Sequence, residues 1–223
     1  MINNKKLFFS IAIDGDSASG KTTGSKMISK SFGFELLSSG KLYRLLAYKI
    51  IKNNYKYNYN FINRTTKKIS LDKLKSKKLY SSKITRLASI IAKKKYIRDL
   101  LKRFQKDFIK KNNKIIIEGR DIASKIMPDA DLKLFFRCSA REKAKRRYFE
   151  LKKINKKTKF KDVEKALKIR DFNDKNRKQS PLIFVKGAVL VDTTNLSKKQ
   201  LKDRLYKLTK RKIDLKNKKY GNL

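Results

Sequence analysis

The chain has no histidine, no tryptophan and a single cysteine, Cys138. Without histidine there is no imidazole to move protons near neutral pH, and no His/Cys cluster with the ligand spacing of a zinc or iron–sulfur site. One thiol cannot close an internal disulfide, which fits a reducing, cytoplasmic location. Acidic residues are scarce, 19 against 62 Lys and Arg, leaving a formal net charge of +43. Long apolar runs are missing too. The apolar stretch over 7–13 is too short to span a membrane, is interrupted by Ser10, and leads into a turn in place of a small-residue cleavage site.

So large a positive charge suggests a nucleic-acid partner. Its distribution argues otherwise, because no uninterrupted basic run exceeds three residues, as at Lys93-Lys94-Lys95 and Lys210-Arg211-Lys212. Lys, Asn, Ile, Phe and Tyr are all abundant while proline numbers 2 and glycine 8. That is the usage of an A/T-rich coding sequence, and the charge reads mainly as solvated surface. Nucleic-acid binding is expected to be weak, non-specific and salt-dependent. The last residues, 213–223, carry no motif and read as a frayed terminus. A length of 223 residues suits one sizeable α/β domain.

Glycine is rare, so a stretch that concentrates it carries information. Gly15-Asp16-Ser17-Ala18-Ser19-Gly20-Lys21-Thr22 fits G-x-x-x-x-G-K-[ST] and follows an apolar run. Glycines at both ends let the backbone curl until successive N–H groups point at one anion, and a helix beginning near Lys21 adds its dipole. Residues 15–22, with Thr23, are the candidate ATP-phosphate ligands. Lys21 would reach the β- and γ-phosphates, and the Thr22 hydroxyl would hold Mg²⁺.

The remaining chain alternates strand and helix. Apolar runs at 34–37, 115–118, 132–137 and 188–192 read as further strands, nearly all apolar as in a parallel sheet covered on both faces. Helical periodicity marks 21–32, with Gly33 as its C′ residue, a helix after Ser38-Ser39-Gly40, a long helix over 84–111, and a last one that Ser197 would cap. Residues 61–66 and 69–74 lean towards β-structure. Ligands of such sheets sit beyond the carboxyl ends of the strands. Those ends are strongly polar: Ser39-Gly40-Lys41-Leu42-Tyr43-Arg44, Glu118-Gly119-Arg120-Asp121, and late in the chain Arg170-Asp171-Phe172-Asn173-Asp174-Lys175-Asn176-Arg177.

Together IAIDGDSASGKTT, LLSSGKLYR, IIIEGRDIASKIMPDADLKLFFRCSAREKAKRRY, RDFNDKNRKQSPL and VLVDTTNLS resemble bacterial cytidylate kinases over nearly the full length. The resemblance implies a five-stranded parallel sheet of the nucleoside monophosphate kinase type, with helices on both faces. It implies a core of 1–51, 83–150 and 178–223, a nucleotide-binding insert at 52–82 and a lid at 151–177. It also implies ATP with Mg²⁺ as donor, CMP or dCMP as acceptor, and a cytoplasmic monomer of pyrimidine metabolism. Arg44 and Arg120 would clamp the CMP phosphate, with Ser39 adding a hydroxyl. Asp121, Ser89 and Arg98 would read the base, and Asp174 would bind the sugar. Arg170 and Arg177 would join Lys21 and Arg120 in neutralising transferred charge. Three departures from the family pattern stand out: Asp16 for proline, Ser38 for aspartate, and Ala123-Ser124-Lys125 for Gly-Thr-Val. The alternatives are a P-loop kinase of another small anion, such as UMP or shikimate, and a basic RNA-associated nucleotide-binding protein.

Overall fold

The computed structural model describes residues 8–153 and 155–220. Its elements begin with β1 (Phe9–Gly15), α1 (Lys21–Phe32), β2 (Glu35–Ser38), α2 (Ser39–Lys52), α3 (Tyr59–Lys67), α4 (Ser82–Ile91) and α5 (Lys95–Lys111). They continue with β3 (Lys114–Glu118), β4 (Leu132–Arg137), α6 (Ala140–Lys152), α7 (Phe160–Asn176), β5 (Val189–Asp192) and α8 (Lys198–Tyr220). Two compact units result, a larger one of 1–36 with 113–223 and a smaller one of 37–112.

In the larger unit β1 is buried along its whole length, which is why it could read as a continuous apolar run. It pairs in parallel with β3, Ile13 opposite Glu118, and with β4, Gly15 opposite Phe136. β4 pairs in parallel with β5, and the strand order is β2-β3-β1-β4-β5. This is the five-stranded parallel α/β sheet expected from the sequence. Alternate side chains Phe9, Ile11 and Ile13 join Ile116, Leu132, Leu134, Phe136 and Val191 in one core, closed by Ile28 of α1 and Leu201 and Leu205 of α8. A smaller cluster of Ala144, Val163 and Leu167 holds α6 to α7, and Ala18 packs against it.

Helix α8 starts where Ser197 was expected to cap it. The Gln200 N–H donates to the Ser197 hydroxyl while the Ser197 N–H donates to Gln200 Oε1, a reciprocal box that satisfies two end donors. The reading of 213–223 as frayed is corrected, since α8 runs on through Tyr220. Ile213 packs against the core, and Lys216 Nζ donates to the Phe8 carbonyl and the Asp131 carboxylate. Residues 221–223, like Leu7, lie outside the described residues.

The smaller unit differs from expectation at 61–66, at 69–74, which holds no strand, and along 84–111. Residues 61–66 form α3, not β-structure: Asn58 caps it by accepting from the Phe61 N–H, Ile62 is fully buried, and the Thr65 and Thr66 hydroxyls fold back onto the Phe61 and Asn63 carbonyls. Local capping and one buried side chain outweigh the β-preference of two threonines. Residues 72–75 and 77–80 are single 3₁₀ turns anchored by Leu74 and Leu79. The long helix over 84–111 is two helices, α4 and α5, because the chain turns at 92–94 and Lys94 is extended. Ile90, although apolar, is exposed on α4.

Gly15 explains the tightest approach in the larger unit. Its φ is +143°, and a Cβ there would lie 2.0 Å from the Phe136 carbonyl oxygen of β4. Strained backbone and overpacking each cost about 1–3 kcal/mol. Gly15→Ala should therefore lower the melting temperature by roughly 4 °C or more, at about 2–4 °C per kcal/mol for a chain of this size. Thermal unfolding followed by circular dichroism checks it, and an unchanged melting temperature would refute the packing at this carbonyl.

Candidate active site

The loop after β1 is fastened from several sides within the larger unit. The Ser19 hydroxyl donates to the Asp16 carbonyl, the Thr193 hydroxyl after β5 donates to the Ser19 carbonyl at 3.0 Å, and Gly20 takes a left-handed φ of +87° before α1. Thr193 is in turn gripped by the Arg146 guanidinium, which donates to its hydroxyl at 2.9 Å and its carbonyl at 2.7 Å. Lys21 Nζ donates back into the loop, to the Gly15 carbonyl at 2.8 Å and to the Asp16 carbonyl. Burial lowers the Lys21 ammonium to about 7, the Arg120 charge adding to this while Glu118 pulls upward.

Asp14, the last side chain of β1 before Gly15, accepts N–H groups of Ile122 at 2.9 Å and Ala123 at 2.7 Å. These start a single π-helical turn over Ile122–Ile126. Burial raises the Asp14 carboxyl to about 6 against the lowering effect of those two amides. Through this tie the loop after β3 is held beside the loop after β1. Arg120 then spans them, donating to the Ser17 hydroxyl at 3.0 Å and from Nε to Asp174 of α7 at 2.8 Å.

Asp174 is where the cations meet. Arg177 stands 3.6 Å from its carboxylate and 3.9 Å from Asp121, and donates from Nε to the Ser180 carbonyl. Burial alone would raise the Asp174 carboxyl, but Arg120, Arg170 and Arg177 overcome this and hold it below the usual carboxylate range. The larger unit thus gathers the loop, Lys21, Arg120, Asp121, Arg170, Asp174 and Arg177. Such guanidinium forks around one carboxylate leave planar donors suited to phosphate oxygens.

The smaller unit holds the other four expected ligands. Ser39 is buried at the start of α2, and its hydroxyl accepts from Gln105 at 2.9 Å. Arg44 donates to the Leu79 carbonyl and the Thr85 hydroxyl and lies over the Tyr80 ring. Arg98 is buried, donates to the Ala92 carbonyl and covers the Tyr43 ring, while Ser89 bonds back to the Thr85 carbonyl within α4.

Several participants carried no role in the sequence reading. Glu118 ends β3 and accepts from the Thr22 hydroxyl at 2.8 Å. A carboxylate closing an apolar strand is a readable signal. A hydroxyl and a carboxylate side by side are hard oxygen donors, and they fit Mg²⁺, which keeps most of its ligands as water and phosphate oxygens. Among the described residues no group of three or more His, Cys, Asp or Glu could hold a metal. Lys143 had no such signal, since basic residues crowd α6, while Asp171 and Thr193 stood within quoted motifs without a role assigned to them.

Among the described residues no helix is long and apolar enough to cross a membrane. The cytidylate kinase family model matches residues 11–211. A curated cytidylate kinase of Thermosipho melanesiensis is 34% identical, covering 92% of this chain and 98% of its own. That of Mycoplasmoides gallisepticum is 36% identical over 91% and 94%, and a probable cytidylate kinase of Vairimorpha ceranae is 33% identical over 93% and 100%. A solved protein of Thermus thermophilus superposes with a TM-score of 0.51 at 14% identity, covering 93% of this chain and 99% of that one, a likeness of fold. A phosphate loop tied to an arginine and aspartate cluster, in a chain matched almost end to end, belongs to the cytidylate kinase family.

Proposed function

We propose that the chain transfers the terminal phosphate of ATP to CMP, and to dCMP, in the cytoplasm. The observation that carries this is Arg120: one guanidinium bonds the phosphate loop through Ser17 and the arginine cluster through Asp174. A nucleotide-binding module without a second substrate has no use for that connection. The same connection would serve a kinase of another small anion, and it is the cytidylate kinase relatives that favour CMP over it; the reading as an RNA-associated protein has no comparable support.

ATP would lie with its phosphates on the amides of 15–23 and on Lys21. Mg²⁺ held by Thr22, with Glu118 behind it, would neutralise phosphate charge. Arg44 and Arg120 would grip the CMP phosphate with Ser39, Asp121, Ser89 and Arg98 would read the cytosine edge, and Asp174 would take the sugar hydroxyl. A phosphate oxygen is already anionic and needs no general base. The chain therefore contributes alignment and positive charge, from Lys21, Arg120, Arg170 and Arg177, against a loose transition state. This is how an enzyme without histidine can work. We also propose that residues 52–82 act as the nucleotide-binding insert and 151–177 as a lid.

A coupled assay with CMP, dCMP, UMP, AMP and GMP tests the reading. Turnover is expected with the cytidine nucleotides, and a preference for another acceptor would overturn it. Lys21→Met should lower turnover at least about a hundredfold while leaving CMP affinity by calorimetry nearly unchanged. A joint collapse of both would contradict the assignment of Lys21 to the ATP side.

Asp121→Asn replaces an acceptor by an amide that can also donate to the uracil carbonyl. The ratio of kcat/KM for CMP over UMP should fall by an amount equivalent to about 1–3 kcal/mol. An unchanged ratio removes Asp121 from base reading.

Lys21 also sets a pH dependence. Its pKa is lowered to about 7 in the free protein, and a bound triphosphate would raise it, so binding takes up a proton above that pH. ATP affinity should be greatest near or below pH 7 and fall about tenfold from pH 7 to 8.5, above the range in which the terminal phosphate itself titrates, near about 6. Titration calorimetry in buffers of different ionisation enthalpy measures the proton uptake, which Lys21→Met should abolish.

A further inference from the structure

Asp16 puts a carboxylate inside the loop proposed to take the ATP phosphates. It is only 6% exposed, so water does little to screen it. Two cations answer it. Lys143 of α6 stands 3.3 Å from Oδ2, and Lys175 of α7 stands 3.4 Å from Oδ1. They are not equivalent, because the Lys143 side chain is 9% exposed and that of Lys175 is 53% exposed. Lys143 also donates to Asp171 Oδ2 at 2.6 Å, and the other oxygen of Asp171 accepts the Ser17 N–H of the loop at 2.9 Å.

One buried ammonium therefore serves two carboxylates, one within the loop and one bonded to a loop amide. Of the other cations nearby, Lys175 answers Asp16 from a side chain half in solvent, where a pair is worth little, and the other two are committed elsewhere. Lys21 bonds the Gly15 and Asp16 carbonyls, and Arg120 bonds the Ser17 hydroxyl and Asp174. Burial pulls the Lys143 ammonium down, but Asp171 and Asp16 together raise it above the ordinary lysine value, so it is charged at neutral pH. The small cluster of Ala144, Val163 and Leu167, with Ala18 against it, fixes the helix that carries Lys143 beside the loop.

We infer that Lys143 is a positioning residue for the triphosphate: it cancels the charge that Asp16 and Asp171 present to the loop, and without it the loop repels a polyanion. The inference rests on the loop being the ATP site. A triphosphate arriving there competes with Asp171 for the Ser17 amide. Lys143 keeps the displaced carboxylate neutralised, so the exchange does not leave two bare carboxylates beside phosphate. The requirement is specific to the donor, because Lys143 touches none of the residues assigned to the base or sugar of CMP.

The test is a double-mutant cycle on the full chain, reading KM for ATP, KM for CMP and kcat separately. Lys143→Met should raise KM for ATP about tenfold with KM for CMP changed less than about twofold. Lys143→Arg should restore it to within about twofold, since charge and reach are kept. In the Asp16→Asn background the same Lys143→Met change should cost less than about threefold, because half of the charge it answers is gone. Asp16→Asn alone should lower KM for ATP and flatten its dependence on salt, a measurement that stands even where Lys143→Met fails to fold. An unchanged KM for ATP in both single variants overturns the inference, as does an equal rise for ATP and CMP, or a full effect in the Asp16→Asn background. Failure of the wild-type protein to saturate with ATP would instead defeat the reading of the loop itself.

Discussion

The Asp14 carboxylate is the tie on which the site depends. It sits at the end of the central strand, where two loops must leave the sheet side by side, and it accepts the N–H groups of Ile122 and Ala123. Those amides begin a turn and lack partners of their own, so a buried carboxylate there satisfies donors that would otherwise be stranded. The price is visible in its acidity, raised to about 6 chiefly by burial. In exchange the Gly119-Arg120-Asp121 segment acquires a fixed register against the phosphate loop. Everything beyond it follows from that register: Arg120 on Ser17, Asp174 on Arg120, and Arg177 against both aspartates.

The cluster also shows why so basic a chain keeps its few acidic residues where it does. Of the 19 Asp and Glu, Asp14, Asp16, Glu118, Asp121, Asp171 and Asp174 are all buried at this one end of the sheet. Each answers a cation, a backbone amide or a hydroxyl. Elsewhere most lysines face solvent, where single surface pairs are worth little. Positive charge is thus general in this protein, and it becomes specific only where carboxylates orient it. An arginine held by a carboxylate is in place before substrate arrives and loses little freedom on binding.

The sheet was legible because β1 and β3 are buried almost throughout and β4 at every second residue, and their sequences are accordingly rich in Ile, Leu and Phe. Helix α1 was legible from end to end, having a phosphate loop before it and Gly33 in the left-handed region after it. The smaller unit was not. Its helix α3 depends on the Asn58 cap and on tertiary burial of Ile62, signals too local to stand out among Asn, Tyr and Lys. The break at 92–94 was hidden because apolar spacing continues across it. In the site, residues belonging to a motif could be named, and the larger unit brings its share of them together. Lys143 could not be named: nothing in a run of lysines and arginines tells which one faces inward.

The central strand carries the phosphate loop and is also the first strand among the described residues, which sets the order in which the site can be completed during synthesis. The Ser17 amide waits for Asp171, 154 residues later, and the Ser19 carbonyl waits for Thr193, 174 residues later. At about 5–20 residues per second that is a delay of roughly 10–30 s on the ribosome. β1 gains its neighbours sooner, when β3 and β4 have emerged, but the loop still lacks the side chains that fasten it. Interrupted translation therefore yields fragments that hold the nucleotide motif without its support, and those that end before β4 also leave an edge of β1 bare, the kind of surface that chaperones and proteases recognise.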